Sequence, residues 1–128
     1  MKTKTNPFHF CRERDKTDWG VIYTYTNNSS GFVLYTYNDH SSVVYLSCIF
    51  VSPPKRNKGL GNNILYTAEE EAKRMKFNTI CLKVLKDFWK NKWYSDWGYR
   101  DLCVDEEDER YIWKVKYINK NKENDTRR

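Results

Sequence analysis

The sequence of 128 residues has few of the features that would assign it to a special class. No stretch approaches the roughly 18 consecutive apolar residues of a membrane-spanning helix, and no apolar run follows the opening residues Met1–Thr5. Neither a membrane span nor a secretory signal is therefore predicted, and the expected location is the cytoplasm. Only two histidines are present, and no two of the four cysteines form a C-x-x-C pair, so no metal site is predicted.

The cysteines also give no support to a disulfide framework. Such frameworks belong to oxidising compartments, which a chain without a secretion signal is not expected to enter. Three of the four cysteines stand within apolar runs. Because an unpaired cysteine packs as a small apolar residue, these three are predicted to be buried.

The net charge of +6 is concentrated at the two ends of the chain. Lys2 and Lys4 stand at the start, and residues 118–128 carry four basic against two acidic side chains, which leaves a body with nearly balanced charge. Charged ends of this kind give weak, non-specific attraction to anions. A single domain over residues 1–118 with a polar, disordered tail at 119–128 is predicted. A nucleic-acid binder that uses exposed aromatics and charged ends is the less favoured alternative.

Aromatic residues are abundant, at 16% of the chain, and most of the first half has the pattern of β-strands. Two aromatic and β-branched runs flank a turn rich in Asn and Ser, which predicts a hairpin. A nearly continuous apolar run then predicts a central strand covered on both faces. The predicted strands are Phe8–Cys11, followed by a charged break at Arg12–Asp18, then Trp19–Thr26, Phe32–Tyr37 and Val43–Ser52.

The second half alternates helices and strands. Apolar residues at helical spacing predict an amphipathic helix from about Gly61 to Lys76. Strand, helix and strand in succession form a βαβ unit, so Val43–Ser52 and Thr79–Leu85 are expected to be parallel neighbours. A short aromatic helix at Phe88–Trp97 and two further strands, Tyr99–Val104 and Tyr111–Tyr117, complete an α/β (α+β) fold.

The segment at residues 51–61 (VSPPKRNKGLG) joins the central strand to the amphipathic helix and has the character of an anion site. Gly59 and Gly61 allow close approach of a ligand to the backbone. The N-terminus of the following helix offers unpaired N–H groups and a positive dipole end, which suit phosphate. Neither a Walker loop nor a dinucleotide fingerprint fits, because Asn62 and Ile64 stand where those motifs need other residues. Three basic side chains add positive charge here: Lys55, Arg56 and Lys58.

Taken together, residues 43–117 resemble the GNAT superfamily of acyl-CoA N-acyltransferases. The family's pyrophosphate loop is [RQ]-x-x-G-x-[GA] after a strand that ends V-x-P, and the family often carries an aromatic-Tyr-x-x-x-Gly-aromatic segment downstream. The matching positions are Val51, Pro53, Arg56, Gly59 and Gly61, followed by Trp93, Tyr94, Gly98 and Tyr99. The resemblance implies a GNAT fold with a central mixed, mostly antiparallel sheet flanked by helices.

The resemblance also implies acetyl-CoA as cosubstrate, with no metal. Pantetheine is expected to lie along the central strand, near Ile49 and Val51, where a β-bulge commonly splays that strand from its parallel neighbour. Lys55 and Lys58 are expected to neutralise further phosphates. Backbone amides of the loop are expected to hold the pyrophosphate, which places Arg56, Asn57, Lys58, Gly59, Leu60 and Gly61 in the cofactor site.

Two tyrosines are the catalytic candidates that the resemblance implies. Tyr94 stands where many members place the general acid that protonates the leaving thiolate. Tyr45 stands where some members place a glutamate base, although a phenol with a pKa near 10 is a poor base at neutral pH, and ordered water is the alternative. Asp87 and Lys90 replace the usual Asn and Ala at the start of the last helix. Either that helix meets pantetheine differently, or activity is reduced.

The N-terminal part departs from the family pattern. Most members place two helices between the first two strands, and Arg12–Asp18 is too short for them. An open acceptor site is therefore expected, which suits a large acceptor such as a protein lysine or N-terminus, or else is closed by a second subunit in a homodimer. The acceptor amine is expected on either a small molecule or a protein. The alternative is a catalytically weak or inactive interaction or inhibitor protein on the same fold.

Overall fold

The structure is a computed structural model that describes residues 9–40, 42–56 and 59–118. These residues form one seven-stranded sheet in the order β1-β2-β3-β4-β5-β7-β6 with two helices, and within it only β4 and β5 run parallel. The elements are β1 (Cys11–Lys16), β2 (Gly20–Thr26), β3 (Ser30–Tyr37), β4 (Val43–Val51), a 3₁₀ turn (Pro53–Lys55), α1 (Leu60–Arg74), β5 (Thr79–Leu85), α2 (Trp89–Asp96), β6 (Arg100–Val104) and β7 (Tyr111–Tyr117). The predicted mixed, mostly antiparallel sheet and GNAT fold class are confirmed.

The main core lies between α1 and one face of the sheet. Alternation along β4 directs Val44 and Leu46 into this core, where both are buried, and Tyr45 to the opposite face. The predicted apolar stripe of α1 packs here, because its buried positions recur three to four residues apart. The core residues are Tyr25, Phe32, Leu34, Val44, Leu46, Ile64, Leu65, Ala68, Ala72, Ile80, Leu82, Val84, Tyr94, Tyr99 and Ile118.

A buried polar network ties α2 to α1. Glu69 of α1 accepts hydrogen bonds from the Tyr99 hydroxyl (2.9 Å) and from Lys116 Nζ of β7 (3.0 Å). Lys116 Nζ also donates to the carbonyl of Trp97 (2.8 Å), just after the end of α2. A buried charge is tolerated when it is paired and hydrogen-bonded in this way. The network therefore fixes the C-terminal end of α2 relative to α1.

The first strand differs from its prediction. The segment Arg12–Asp18 was expected to be a break, yet β1 covers Cys11–Lys16 and pairs with β2 from Cys11↔Thr26 to Lys16↔Val21. All six residues of β1 are exposed. Because β1 is an edge strand with its side chains in solvent, charged residues are tolerated along it. Its sequence therefore lacks the alternating apolar pattern from which a strand is predicted.

The expected absence of helices between the first two strands is confirmed. Within the described chain, only residues 17–19 separate β1 from β2, and the Thr17 hydroxyl accepts from Gly20 N (3.0 Å) to close this turn. The prediction for residues 1–8 and for the tail at 119–128 lies outside the described residues. Neither described helix has the length and apolar character needed to cross a membrane.

The central strand and the cysteines also differ from expectation. The first half of β4 is covered, but beyond Leu46 the side chains of Ser47, Cys48 and Phe50 are exposed, so the strand is not buried on both faces. Of the four cysteines only Cys81 is buried. The apolar run predicted a covered strand because it cannot reveal that the neighbouring strand diverges halfway along it.

Candidate active site

The central feature of the site is the divergence of β4 from β5. The two strands pair from Val43↔Thr79 to Leu46↔Leu82, and β5 then continues without β4 to Leu85. On its other side β4 shifts register against β3, so that Val33 pairs with Cys48 and Leu34 with Leu46. Ser47 is thus the extra residue of a β-bulge, which bends a strand and ends regular pairing. The splay that the resemblance implies is present.

Beyond the bulge, β4 leads into the predicted anion-binding loop. The 3₁₀ turn Pro53–Lys55 follows β4, and α1 begins at Leu60 with Gly59 as its N-cap. The N-cap provides no side-chain hydrogen bond, and the first turn contains no acidic residue. The first N–H groups of a helix have no intrahelical acceptor, so this helix end is open to an anion.

The two glycines of this loop differ in backbone conformation and in the space around them. Gly59 has φ +78°, a left-handed conformation that favours glycine, and a Cβ there would meet no described atom within 4 Å. A Cβ on Gly61 would lie at ordinary contact distance, 3.7 Å, from the Trp93 ring. Neither glycine is required by close packing within the described chain. Within the described ranges, no side chain fills the space beside Gly59.

The splay and the loop open into one cleft of about 610 Å³. One wall comes from β4 and the start of α1, and the other from α2 and the residue before it. Six of the eight predicted cofactor residues line this cleft: Ile49, Val51, Arg56, Gly59, Leu60 and Gly61. The other two, Asn57 and Lys58, lie outside the described residues. The expected contacts of these residues with a cofactor stay predictions.

Arg56 is positioned by a backbone contact. Its Nε donates a hydrogen bond to the carbonyl of Val51 (2.9 Å), across the turn that leaves β4. This bond uses one of the five N–H donors of the guanidinium. Arg56 is therefore held at the edge of the cleft, and its guanidinium keeps further N–H donors for a ligand.

The aromatic wall opposite β4 was not predicted as part of the site. Phe88 and Trp89 are exposed at 43% and 63%, and both line the cleft together with Trp93. Lys90, noted as a departure from the family pattern, also lines the cleft, with Nζ 5.8 Å from the centre of the Trp89 ring. Asp87 borders a separate depression. The departure at Lys90 thus adds a positive charge to the cleft wall.

Asn62 connects the two walls. Its Oδ1 accepts hydrogen bonds from the indole Nε1 of Trp93 (3.0 Å) and of Trp97 (3.2 Å). The sequence showed Asn62 only as a mismatch to a Walker loop. The available signal was the spacing of the two tryptophans, because residues four apart share a face of a helix and can meet a single partner.

Tyr94 lies on α2 with its ring in contact with Tyr99 and Trp93, at centroid distances of 5.6 and 5.0 Å. It is 7% exposed and packs behind the cleft wall. Burial, with a smaller contribution from the Cys48 thiol, raises the pKa of Tyr94 to about 12. The hydroxyl is therefore protonated at neutral pH. Tyr94 is not among the residues that line the cleft. The predicted acid role of Tyr94 stays a prediction.

Tyr45 lies on the face of the sheet opposite α1, away from the cleft. Its ring stacks on Tyr35 at 5.2 Å, and its hydroxyl is 3.0 Å from Nδ1 of His40. Burial, followed by the charges of Cys81 and Tyr37, raises the pKa of Tyr45 above its usual value. A phenol with a raised pKa is neutral at physiological pH. The predicted base role of Tyr45 gains no support from this environment.

Comparison with known proteins places this geometry in context. The family described as Acetyltransferase (GNAT) family matches residues 2–99, more than half of the chain. The chain belongs to the GNAT family. The match reaches into the N-terminal hairpins, beyond the segment in which the sequence resemblance was drawn. No curated protein sequence matches the chain.

Solved GNAT structures share the fold. A Bacillus subtilis acetyltransferase in complex with CoA is 20% identical, with 78% of each chain covered and a TM-score of 0.64. A GNAT family acetyltransferase from Elizabethkingia anophelis with acetyl-CoA bound is 12% identical, with 85% of this chain and 98% of that one covered and a TM-score of 0.63. The ribosomal-protein-S18-alanine N-acetyltransferase from Escherichia coli is 17% identical, with 80% and 72% covered and a TM-score of 0.60.

Proposed function

We propose that this GNAT protein is an N-acetyltransferase that moves the acetyl group of acetyl-CoA to an amine. The observation that carries the proposal is the continuity of the cleft: the splayed edge of β4 leads directly to the open N-terminus of α1. A splayed strand offers unpaired N–H and C=O groups to an extended chain, and a helix N-terminus offers N–H groups to an anion. A pantetheine attached to a pyrophosphate needs both in this order.

The two ends of the cleft bind different parts of the cofactor. Pantetheine lies along Ile49–Val51, whose backbone no longer pairs with β5. The pyrophosphate rests on the amides that begin at Gly59, and Arg56 and Lys90 add positive charge beside it. The exposed rings of Phe88 and Trp89 cover the apolar part of the cofactor. This order directs the thioester toward the bulge at Ser47.

The reaction is a direct acyl transfer within a ternary complex. The nitrogen of the neutral amine attacks the thioester carbonyl, a C–N bond forms, and the carbonyl oxygen carries negative charge in the tetrahedral intermediate. An N–H group of β4 beyond the bulge stabilises this charge. The intermediate collapses when the C–S bond breaks, and the thiolate leaves with the bonding electron pair.

Tyr94 supplies the proton for the leaving group in this proposal. Its raised pKa keeps the hydroxyl protonated until the thiolate forms. The amine loses its proton to water, which agrees with the absence of an ionised base at Tyr45. The products are the acetylated amine and CoA. The tyrosinate regains from water one proton, which balances the one that the amine nitrogen released to water.

Calorimetric titration with acetyl-CoA tests the cofactor site. Gly61→Phe places a ring over the first amides of α1 and is expected to weaken binding by about 100-fold, because hydrogen bonds to a charged group contribute about 1.5–3 kcal/mol each. Two variants serve as controls. Gly61→Ala adds a Cβ at ordinary contact distance from Trp93, and Glu70→Phe adds the same ring on the outer side of the helix.

Both control variants are expected to bind acetyl-CoA as the native protein does. Absence of acetyl-CoA binding by the native protein at millimolar concentration would overturn the proposal and favour a non-enzymatic interaction protein. Equal affinity of Gly61→Phe and Gly61→Ala would remove the loop from the binding site.

A further inference from the structure

A second cavity lies next to the bulge on the other side of β4. It has a volume of about 670 Å³ and is bordered by Leu46 and Ser47 of β4, by Tyr35 and Tyr37 of β3, and by the β6–β7 connection. Ser47 borders this groove and Ile49 borders the cofactor cleft, so residues two positions apart along β4 line the two cavities. That separation is roughly 7 Å. We call this second cavity the acceptor groove.

The groove already holds an ammonium group of the chain itself. Lys83 Nζ lies 5.3 Å from the ring centre of Tyr111 and 5.6 Å from that of Trp113. The same ammonium is 3.8 Å from a carboxylate oxygen of Asp105. Ring faces and a carboxylate together attract a cation. The arrangement around Lys83 shows that the groove wall accommodates an alkylammonium.

The rim of the groove has excess negative charge. Asp105 is engaged, because it pairs with Lys83 and accepts hydrogen bonds from the Trp113 indole (2.9 Å) and from the Asp108 amide (3.1 Å). Glu106 and Glu107 also line the groove and are exposed. Neither forms an ion pair within the described ranges. Three carboxylates thus face one ammonium, and two of them are available to a ligand.

We infer that the acceptor groove selects a polycationic amine, an extended chain with two or more ammonium groups. The inference rests on the proposed function, because it assigns the acceptor of that same site. The amine that reacts crosses from the groove to the thioester at the bulge and loses its proton. The remaining ammonium groups stay on Glu106 and Glu107 and along the rings of Tyr35 and Tyr37. A polyamine and a lysine-rich peptide share this chemistry.

Acceptor kinetics at saturating acetyl-CoA test the inference. The acceptors are spermidine, a trilysine peptide with a blocked N-terminus, and butylamine, which has a single charge. The native protein is expected to show a KM at least tenfold lower for one or both polycations than for butylamine. Turnover of spermidine alone identifies a small polyamine, and turnover of the peptide alone identifies a protein segment.

The double variant E106Q/E107Q provides the decisive comparison. An exposed charge pair changes affinity by up to about fivefold, so the KM for the polycation is expected to rise roughly tenfold while kcat changes less than twofold. The KM for butylamine is expected to stay the same. The control is Glu109→Gln, which removes one negative charge from the same connection at a position outside the groove. Added salt is expected to raise the polycation KM of the native protein more than that of the double variant.

Failure of this inference can be told apart from failure of the proposed function. Absence of acetyl-CoA binding contradicts the proposed function, and calorimetry with spermidine alone then still tests the groove: binding lost in E106Q/E107Q supports it, and no binding overturns it. Acetyl-CoA binding with equal KM values for butylamine and both polycations overturns the inference alone. An equal effect of Glu109→Gln and of the double variant overturns it as well.

Discussion

The cofactor cleft and the acceptor groove have similar volumes, about 610 and 670 Å³, and opposite electrostatic character. The cleft obtains its positive character from the N-terminus of α1 and from Arg56 and Lys90. The groove obtains its negative character from side chains of the β6–β7 connection, Glu106 and Glu107 among them. The first is mainly a property of the backbone, whereas the second depends on a few surface residues.

This difference explains how one strand can serve two ligands. The bulge at Ser47 turns β4 away from β5, so that residues on either side of the bulge border different cavities. In the proposed function, an anionic cofactor and a cationic amine are each attracted to one side and repelled from the other. The comparison teaches that the divergence of a single strand, rather than a cluster of catalytic side chains, organises this site.

The largest expected effect separates the two tyrosines. Tyr94→Phe removes the proposed proton donor and is expected to lower kcat by about 100-fold, the lower end of the range for general acid catalysis. The affinity for acetyl-CoA, measured by calorimetry, is expected to stay within twofold. Tyr45→Phe tests the other candidate. Its ring contacts Tyr35 and Tyr37 of the acceptor groove, so the variant is expected to change the acceptor KM while kcat changes less than threefold.

The pH profile sharpens this comparison. A donor must be protonated, and the pKa of Tyr94 is raised to about 12, so kcat is not expected to fall with increasing pH below pH 10. A descending limb centred near pH 8 that disappears in Tyr94→Phe would contradict the environment described for this residue. Native turnover in Tyr94→Phe would remove the hydroxyl from the mechanism.

The smallest expected effect concerns the link between the walls of the cleft. Asn62→Ala removes the acceptor of two indole N–H groups and leaves the first turn of α1 otherwise intact. A hydrogen bond contributes about 1 kcal/mol net, so acetyl-CoA affinity is expected to fall about threefold to tenfold. Thr67→Ala, one turn further along α1, also removes a side-chain hydrogen bond and is the control. Equal losses in both variants would indicate a general effect on the helix.

The fold elements that form the cleft were largely predictable from sequence. The loop at Arg56–Gly61 has a short motif, as the proposed function requires, because backbone amides are left accessible only by particular residues such as glycine. The βαβ unit was visible as a change from strand to helix periodicity, and β5 and β7 agree with their predicted bounds. Backbone-determined features thus left a signal within a few consecutive residues.

The acceptor groove could not be predicted from sequence, and the reason is physical. The acceptor groove brings Tyr35, Ser47, Lys83 and Trp113 together from four different strands, and no local pattern records that meeting. Similarly, β1 is an exposed edge strand whose charges gave no apolar alternation. Asn62 becomes informative only once α2 is known to lie against it.

The central claim is that the turn before α1 and the splayed end of β4 together hold the cofactor. The most direct measurement is a titration of the ¹⁵N-labelled protein with CoA, followed by amide chemical shifts. The account predicts the largest changes at Gly59, Leu60 and Gly61, with further changes along Ile49–Val51. Changes confined to the aromatic face around Tyr45, or no change at the turn when CoA is bound, would contradict it.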